Sequence, residues 1–301
     1  MQTILEWLGT YKKSIDDHII EFLSQKEKEL LCVNKWGPDA IGRLKKFTTS
    51  GKTTRGGLIV FAYRMFGTTV TKTVLDAASA IELLHSGLLI HDDIMDEGSI
   101  RRGYDAIHVQ YQKLSNNRIG RDMAICTGDL VFFLAFELLP KDIATFVFKE
   151  LSTVASAQMQ DAGVGHLDKH LTIEEIISLY TYKTARYSFS MPLTIGAILG
   201  GAPTSVRKRF YDIGQNIGIL YQMRDDELGL SGNPDITGKP IGTDTKSGKQ
   251  TVLSRLSKTA LTSFAAKYRT LALSQIHALS IDSASRKKFL DLVDFAEQRS
   301  K

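Results

Sequence analysis

Between Pro38 and Pro140 the chain contains no proline, and it has only 6 in all. Proline breaks a helix interior because it lacks the N–H and clashes with the preceding turn. Such a stretch permits long helices, and the side-chain pattern calls for them. Residues 71–97, TKTVLDAASAIELLHSGLLIHDDIMDE, carry Val74, Leu75, Ala78, Ile81, Leu84 and Leu88 at the spacing of one helix face. Residues 173–201 and 210–230 follow the same pattern, and so does 285–299 near the end. Residues 129–139, DLVFFLAFELL, are apolar on nearly all sides, as a buried helix would be. No convincing alternation of period two appears, which speaks against strands. Turn chemistry gathers at 48–57, 96–105 and 231–249. There is no repeat and no linker. The expectation is an all-α chain, a single domain over 1–301, built around a core of long helices.

Charge and cysteine usage narrow the function. Net charge is 38 − 33 = +5 and the pI is near 9.0, which allows an anionic partner. The basic residues are spread out and form no nucleic-acid motif, so no nucleic-acid partner is expected. Cys32 and Cys126 make no CxxC, which suggests neither a disulfide framework nor a zinc site, and a reducing cytoplasm is the expected setting. The first residues, MQTILEWLGTYKKSIDDHII, lack the apolar core of a signal peptide. The apolar run LVFFLAF at 130–136 is far shorter than the ~20 residues that span a bilayer, so no membrane span is expected.

Chemistry gathers in GLLIHDDIMDEGSIRRG, residues 87–103. Asp92 and Asp96 are i and i+4, so both carboxylates leave one helix face. Bare like charges at that spacing repel, and a divalent cation between them reverses the sign. Oxygen ligands without His or Cys suit magnesium, which takes one or two carboxylates plus phosphate oxygens. Asp93 points elsewhere and fits a supporting place. A solvated acidic helix end would look the same in isolation. A second cluster, YQMRDDELG at 221–229, places Asp225 and Asp226 near the end of another apolar helix, with Gln222 one turn back. The first cluster is followed by Arg101-Arg102-Gly103 and the second by TGKPIGTDTKSGKQT. Carboxylates, lysines and arginines converging on one pocket are what a metal-bound diphosphate requires.

These residues resemble the trans-isoprenyl diphosphate synthase family. Its first aspartate-rich motif, DDxxD followed by RRG, stands here as Asp92-Asp93-Ile94-Met95-Asp96 and Arg101-Arg102-Gly103. Its second is similar to Gln222 with Asp225-Asp226. Its GKxxR segment matches Gly51-Lys52-Thr53-Thr54-Arg55, its histidine His85, its KT pair Lys183-Thr184, and its later lysines Lys239 and Lys249. The matches run in family order from about residue 50 to 251. Three departures stand out: Gly229 where a third aspartate is usual, Gly56 where proline is common, and Thr53 where arginine often follows the lysine.

The resemblance implies a fold of the isoprenoid synthase type and a magnesium-dependent prenyltransferase. An allylic diphosphate would be held through three magnesium ions by Asp92, Asp96 and Asp225, with Asp93 and Asp226 supporting. Arg101, Lys183, Lys239 and Lys249 would neutralise it. Isopentenyl diphosphate would be held by Lys52, Arg55, His85 and Arg102, with Thr184 and Gln222 orienting the allylic cation. The loop 97–107 would close to exclude water. Family resemblance also implies a homodimer.

For product length, the tail is expected to run down the first acidic helix past Leu88, Gly87 and Leu84. Gly87 and Leu88 offer no aromatic floor, which points to geranylgeranyl diphosphate. A floor supplied by Phe132, Phe133 or Phe136 would leave farnesyl open, although these rings read more readily as core. Longer polyprenyl products, a terpene cyclase and a non-catalytic partner subunit are the alternatives. A cyclase would need a different second metal motif and no second diphosphate site, and partner subunits tend to lose the aspartates kept here.

Overall fold

A computed structural model describes residues 3–67, 69–164, 170–231 and 250–298. They form an all-α structure with one short hairpin, and they group into two compact units. The first holds residues 7–60 and 69–144, and the second holds 1–6, 61–68 and 145–301. Each draws on separate stretches of chain, which is why no linker is visible in the sequence.

The first unit contains most of the opening helices: α1 (Ile4–Thr10), α2 (Lys12–Leu30), α3 (Trp36–Thr49), α4 (Thr54–Tyr63) and α5 (Lys72–Met95). The hairpin β1 (Ile100–Arg101) and β2 (Tyr104–Asp105) follows, then α6 (Ile107–Gln112) and α7 (Asn117–Leu138). The Thr71 side chain caps α5 by accepting from the Val74 N–H, and Asp96 is the C-cap. This helix is long and apolar enough to cross a membrane, but most of it is buried in the protein, including Val74, Ala78, Ile81, Leu84 and Ile90. Its partly exposed stripe contains His85, Leu88 and Asp92, the face read from the sequence. On α2, Ile15, Ile19 and Leu23 are fully buried at helical spacing.

The two strands have only 2 residues each, too short to show a period, and the all-α expectation holds. One sequence expectation changes here. Helix α7 is not buried all round: Phe133 is 66% exposed, Phe136 38% and Ile125 44%. These three share one face, so Phe133 and Phe136 are surface residues of the single chain rather than core.

The second unit contains α8 (Lys141–Val164) for most of its length. A long helical stretch follows, made of α9 (Ile173–Leu179), a π-helical segment (Tyr180–Ser190) and α10 (Met191–Leu199). Helices α11 (Thr204–Ser231), α12 (Lys258–His277) and α13 (Ser283–Gln298) complete it. A capping box at Thr172 and Glu175 starts α9. The core carries an aromatic chain in which Phe66, Phe210, Phe289 and Phe61 stack at centroid distances of 5.9, 5.3 and 5.0 Å.

Gly214 and Gly218 on α11 lie against the π-helical segment. A Cβ at Gly214 would sit 2.5 Å from the Ser190 Cα, and one at Gly218 would sit 2.3 Å from the Ala185 Cα. Only a bare backbone fits there. Gln222 and Asp226 continue the same face at i+4 steps, so the glycine contact sets how close they come to the π-helical segment.

Candidate active site

In the first unit, Asp92 lies on the open stripe of α5, with its side chain 23% exposed, and Asp96 ends the helix. Asp93 turns inward and is 1% exposed. Its Oδ1 accepts from the Arg101 guanidinium, at 2.8 Å from Nε and closer still from Nη2. Arg101 Nη2 also lies 3.7 Å from Asp92 Oδ2. Burial pushes the Asp93 carboxyl up, with Arg101 opposing the shift; burial also works against the Arg101 charge, but Asp93, Asp92 and Asp96 outweigh it and raise its value. Asp93 therefore fixes the Arg101 guanidinium from the buried side of the helix.

The hairpin explains the Arg-Arg-Gly spelling. Arg102 and Gly103 have φ of 55° and 79°, the left-handed pair that a two-residue turn needs. This turn sends Arg101 to the acids and Arg102 the other way, where Nη1 donates to the carbonyls of Phe47 (2.6 Å) and Thr48 (3.3 Å) near the end of α3. Any Cβ on Gly51 would meet the Arg102 guanidinium at 2.6 Å, so the first glycine of the GKxxR segment makes room for the second arginine.

Lys52 is exposed and sits beside Thr53, a buried β-branched residue at φ 53°. Backbone in that region is strained unless its surroundings hold it there. Lys12 Nζ supplies bonds to Thr49 O (2.8 Å) and Thr53 Oγ1 (3.3 Å), and Thr53 Oγ1 donates to Asp16 (3.2 Å). Helix α4 begins beside Arg55, and the Gly56 N–H donates to the buried Glu82 at 2.8 Å. One turn after Glu82, His85 is held well below the usual histidine value, by burial first and then by Arg55, Arg102 and Arg101. Its surroundings therefore favour the neutral imidazole. Sequence reasoning missed Glu82, although a lone acid inside ASAIELLHSGLL was the available signal.

Phe132 of α7 stands against Gly87, where an added Cβ would lie 2.5 Å from the ring. His91 packs on the same ring at 5.4 Å. Leu84 is fully buried and Leu88 is partly exposed.

In the second unit, Thr184 Oγ1 donates to Gln222 Oε1 (2.8 Å), and Gln222 Nε2 donates to Asp226 Oδ1 (2.8 Å). Asp226 is 7% exposed, and Asp225 on the adjoining face is half-buried. The π-helical segment also places Lys183 on Asp161, and Arg186 on the buried Glu150 with bonds of 3.0 and 2.7 Å. Tyr180 donates to Asp226 Oδ2. Neither Asp161 nor Tyr180 was expected from sequence, since each lies far along the chain from its partner. Lys239 and Lys249 lie outside the described residues.

Among the described residues no three His, Cys, Asp or Glu side chains converge into a closed metal site. A pair of carboxylates on a helix end fits magnesium, which keeps several positions for water and phosphate oxygens. One buried oxygen of Asp93 has no hydrogen-bond partner among the described residues, so the cluster is not a self-satisfied surface network. The donor set fits that ion.

The model of the polyprenyl synthetase family matches residues 43–278. A geranylgeranyl diphosphate synthase of Sulfolobus acidocaldarius is 34% identical over 217 residues, covering 69% of this chain and 63% of that one. That match therefore spans less than two thirds of the relative. A geranylgeranyl diphosphate synthase of Methanosarcina mazei is 30% identical over 263 residues, covering 84% and 75%. The fold is that of a Corynebacterium glutamicum geranylgeranyl pyrophosphate synthase crystallised with isoprenyl diphosphate and magnesium. The two align with a TM-score of 0.86 at 23% identity, over 97% of this chain and 99% of that one.

Proposed function

Because the chain belongs to the polyprenyl synthetase family, we propose that it condenses isopentenyl diphosphate with an allylic diphosphate, head to tail and in the trans configuration, giving geranylgeranyl diphosphate. The observation that carries this reading is the α5 end, where Asp92 and Asp96 share a face while Asp93 holds Arg101 beside them. Two relatives carry that activity in their names, and the C. glutamicum protein was crystallised with magnesium and an isoprenyl diphosphate.

Bound magnesium, three ions by analogy with the family, supplies Lewis-acid stabilisation of the departing diphosphate. Asp92, Asp96 and Asp225 would hold it, with Asp93 and Asp226 keeping their neighbours in place. Arg101, Lys183, Lys239 and Lys249 bind the allylic diphosphate and stabilise the charge that builds on it as the C1–O bond breaks. Lys52, Arg55, Arg102 and the neutral His85 hold isopentenyl diphosphate, whose double bond attacks the allylic cation. The proton lost in that step goes to the released diphosphate, so no aspartate has to serve as base. Thr184 and Gln222 orient the cation, and the 97–107 hairpin excludes water that would quench it.

A farnesyl product is the competing reading, and Phe132 against Gly87 favours it. The exposed face of α7, with Ile125, Phe133 and Phe136, is apolar enough to need a cover, and a second copy of this chain in a homodimer is the proposed one.

The test is incubation with magnesium, isopentenyl diphosphate and dimethylallyl, geranyl or farnesyl diphosphate, with products sized after dephosphorylation. Geranylgeraniol is expected from each starter, and no elongation from any of them refutes the reading. Asp92→Ala is expected to lower turnover on the order of 10³-fold or more without loss of thermal stability, because it also removes a like-charge pair. Near-normal turnover in saturating magnesium would remove Asp92 from the site.

A further inference from the structure

Tyr180 is 4% exposed and packs in an apolar cluster with Leu171, Ile176, Ala185, Ile219, Met223 and Val252. Phenylalanine would fill that space equally well, and a buried hydroxyl costs free energy unless it is hydrogen-bonded. Here the hydroxyl has two partners. It donates to Asp226 Oδ2 and accepts from the Val252 N–H at 3.1 Å. Both are distant in sequence, 46 and 72 residues along the chain. The oxygen of Tyr180 thus closes a chain of side chains that runs from Thr184 through Gln222 to Asp226.

We propose that Tyr180 is a positioning residue for the second acidic pair, fixing the rotamer of Asp226 from behind and tying it to the backbone at Val252. The inference rests on the reading of Asp225 as a magnesium ligand that Asp226 keeps in place. Gly229 makes the need plain. One turn beyond Asp225, where another carboxylate would reinforce the pair, there is no side chain. With two acids in place of three, their orientation has to come from elsewhere, and Tyr180 is built for it.

The experiment uses the full chain and Tyr180→Phe, which keeps the ring and removes only the oxygen. Thermal unfolding is followed while magnesium is titrated in the presence of inorganic pyrophosphate, which tests binding without turnover. The magnesium concentration at half-maximal stabilisation is expected to rise ~10–100-fold, the effect of losing a partner that orients a metal ligand. The KM for isopentenyl diphosphate should stay the same, since Lys52, Arg55, His85 and Arg102 hold that substrate. In an Asp226→Asn background, Tyr180→Phe should add little, because the hydroxyl acts through that carboxylate. An unchanged magnesium requirement in Tyr180→Phe overturns the proposal, even if its melting temperature falls. If the wild-type chain itself shows no stabilisation by magnesium and pyrophosphate, the proposed function fails first, so the two failures are distinct. Should Tyr180→Phe fold poorly, Tyr180→Met, which fills apolar space without a hydroxyl, takes the same titration. A wild-type magnesium requirement there overturns the proposal.

Discussion

Gly218→Ala adds one methyl group at the tightest approach of α11 to the π-helical segment. Its Cβ would lie 2.3 Å from the Ala185 Cα and 2.6 Å from the Ala185 Cβ, where ordinary contact begins at 3.4 Å. The gap to be opened is therefore 3.4 − 2.3 = 1.1 Å, and backbone on both sides leaves no flexible side chain to yield. Gln222 lies one turn further along the same face, with its bond to Thr184 at 2.8 Å. A displacement of ~1 Å takes that bond past the ~3.5 Å at which a hydrogen bond ceases to exist. Overpacking costs ~1–3 kcal/mol, while Ala in place of Gly returns up to ~1 kcal/mol of helix propensity. The net loss of stability is then at most about 2–3 kcal/mol, a few degrees in melting temperature for a chain this large. A displacement of ~1 Å in positioning groups costs ~100-fold in rate. The expected result is a folded protein with a nearly normal melting curve and turnover reduced ~100-fold. Gly42→Ala, whose Cβ would meet nothing within 4 Å, is the control and should be neutral or stabilising. If Gly218→Ala keeps full turnover, the glycine contact does not set the position of Gln222 and the reasoning is wrong.

Three further outcomes follow from the first unit. Thr53→Gly should change the melting temperature little, because the strain that glycine relieves at φ 53° is offset by the lost hydroxyl bonds to Lys12 and Asp16. It should also raise the KM for isopentenyl diphosphate by freeing Lys52, and an unchanged KM would show that the strained turn aims nothing. Phe132→Ala should lengthen the main product by at least one isoprene unit, as sized by chromatography after dephosphorylation, and an identical product would remove Phe132 from the tail path. Enlarging Gly87 is a poorer test, since even a methyl group there collides with the ring. His85 has its folded value held below the ordinary 6.5, so stability tied to the neutral ring is present above that value and is lost as pH falls below it. Thermal stability should accordingly be flat from about pH 8 to 7 and fall in more acid solution, with a smaller fall in His85→Gln. An equal acid loss in His85→Gln would mean the imidazole is not held neutral.

The acidic pairs and the helix beneath the first were legible because both are local. An i,i+4 step and a run of leucines and isoleucines are properties of a few adjacent residues, and α5 follows them closely. What was not legible depends on contacts across long separations or on conformations without a period. The π-helical segment looks like ordinary helix in sequence, since widening a turn leaves no compositional mark. Gly214 and Gly218 show their purpose only when Ser190 and Ala185 are seen against them. The outer face of α7 misled for a related reason. A run such as LVFFLAF reads as buried whether the cover comes from the same chain or from another.

Three of the cations assigned to diphosphate, Arg101, Arg102 and Lys183, do not stand in open water. Arg101 lies on buried Asp93 and Lys183 on Asp161, whose side chains are 1% and 13% exposed. Arg102 is held on the carbonyls at the end of α3 and Lys52 beside a turn fixed by Lys12 and Asp16. Each carboxylate weakens the attraction that its cation exerts on an incoming anion. Each also removes rotamer freedom from a long side chain, which would otherwise be lost on binding at ~1.5–2 kcal/mol per Lys or Arg. Taking that loss during folding leaves the positive groups in place before the leaving group develops its charge. Such preorganisation favours the transition state over the bound substrate. This accounts for acids buried beside the cations of a chain whose net charge is +5. On the proposed reading they hold direction, and the charge left to bind diphosphate is what remains after they have been satisfied.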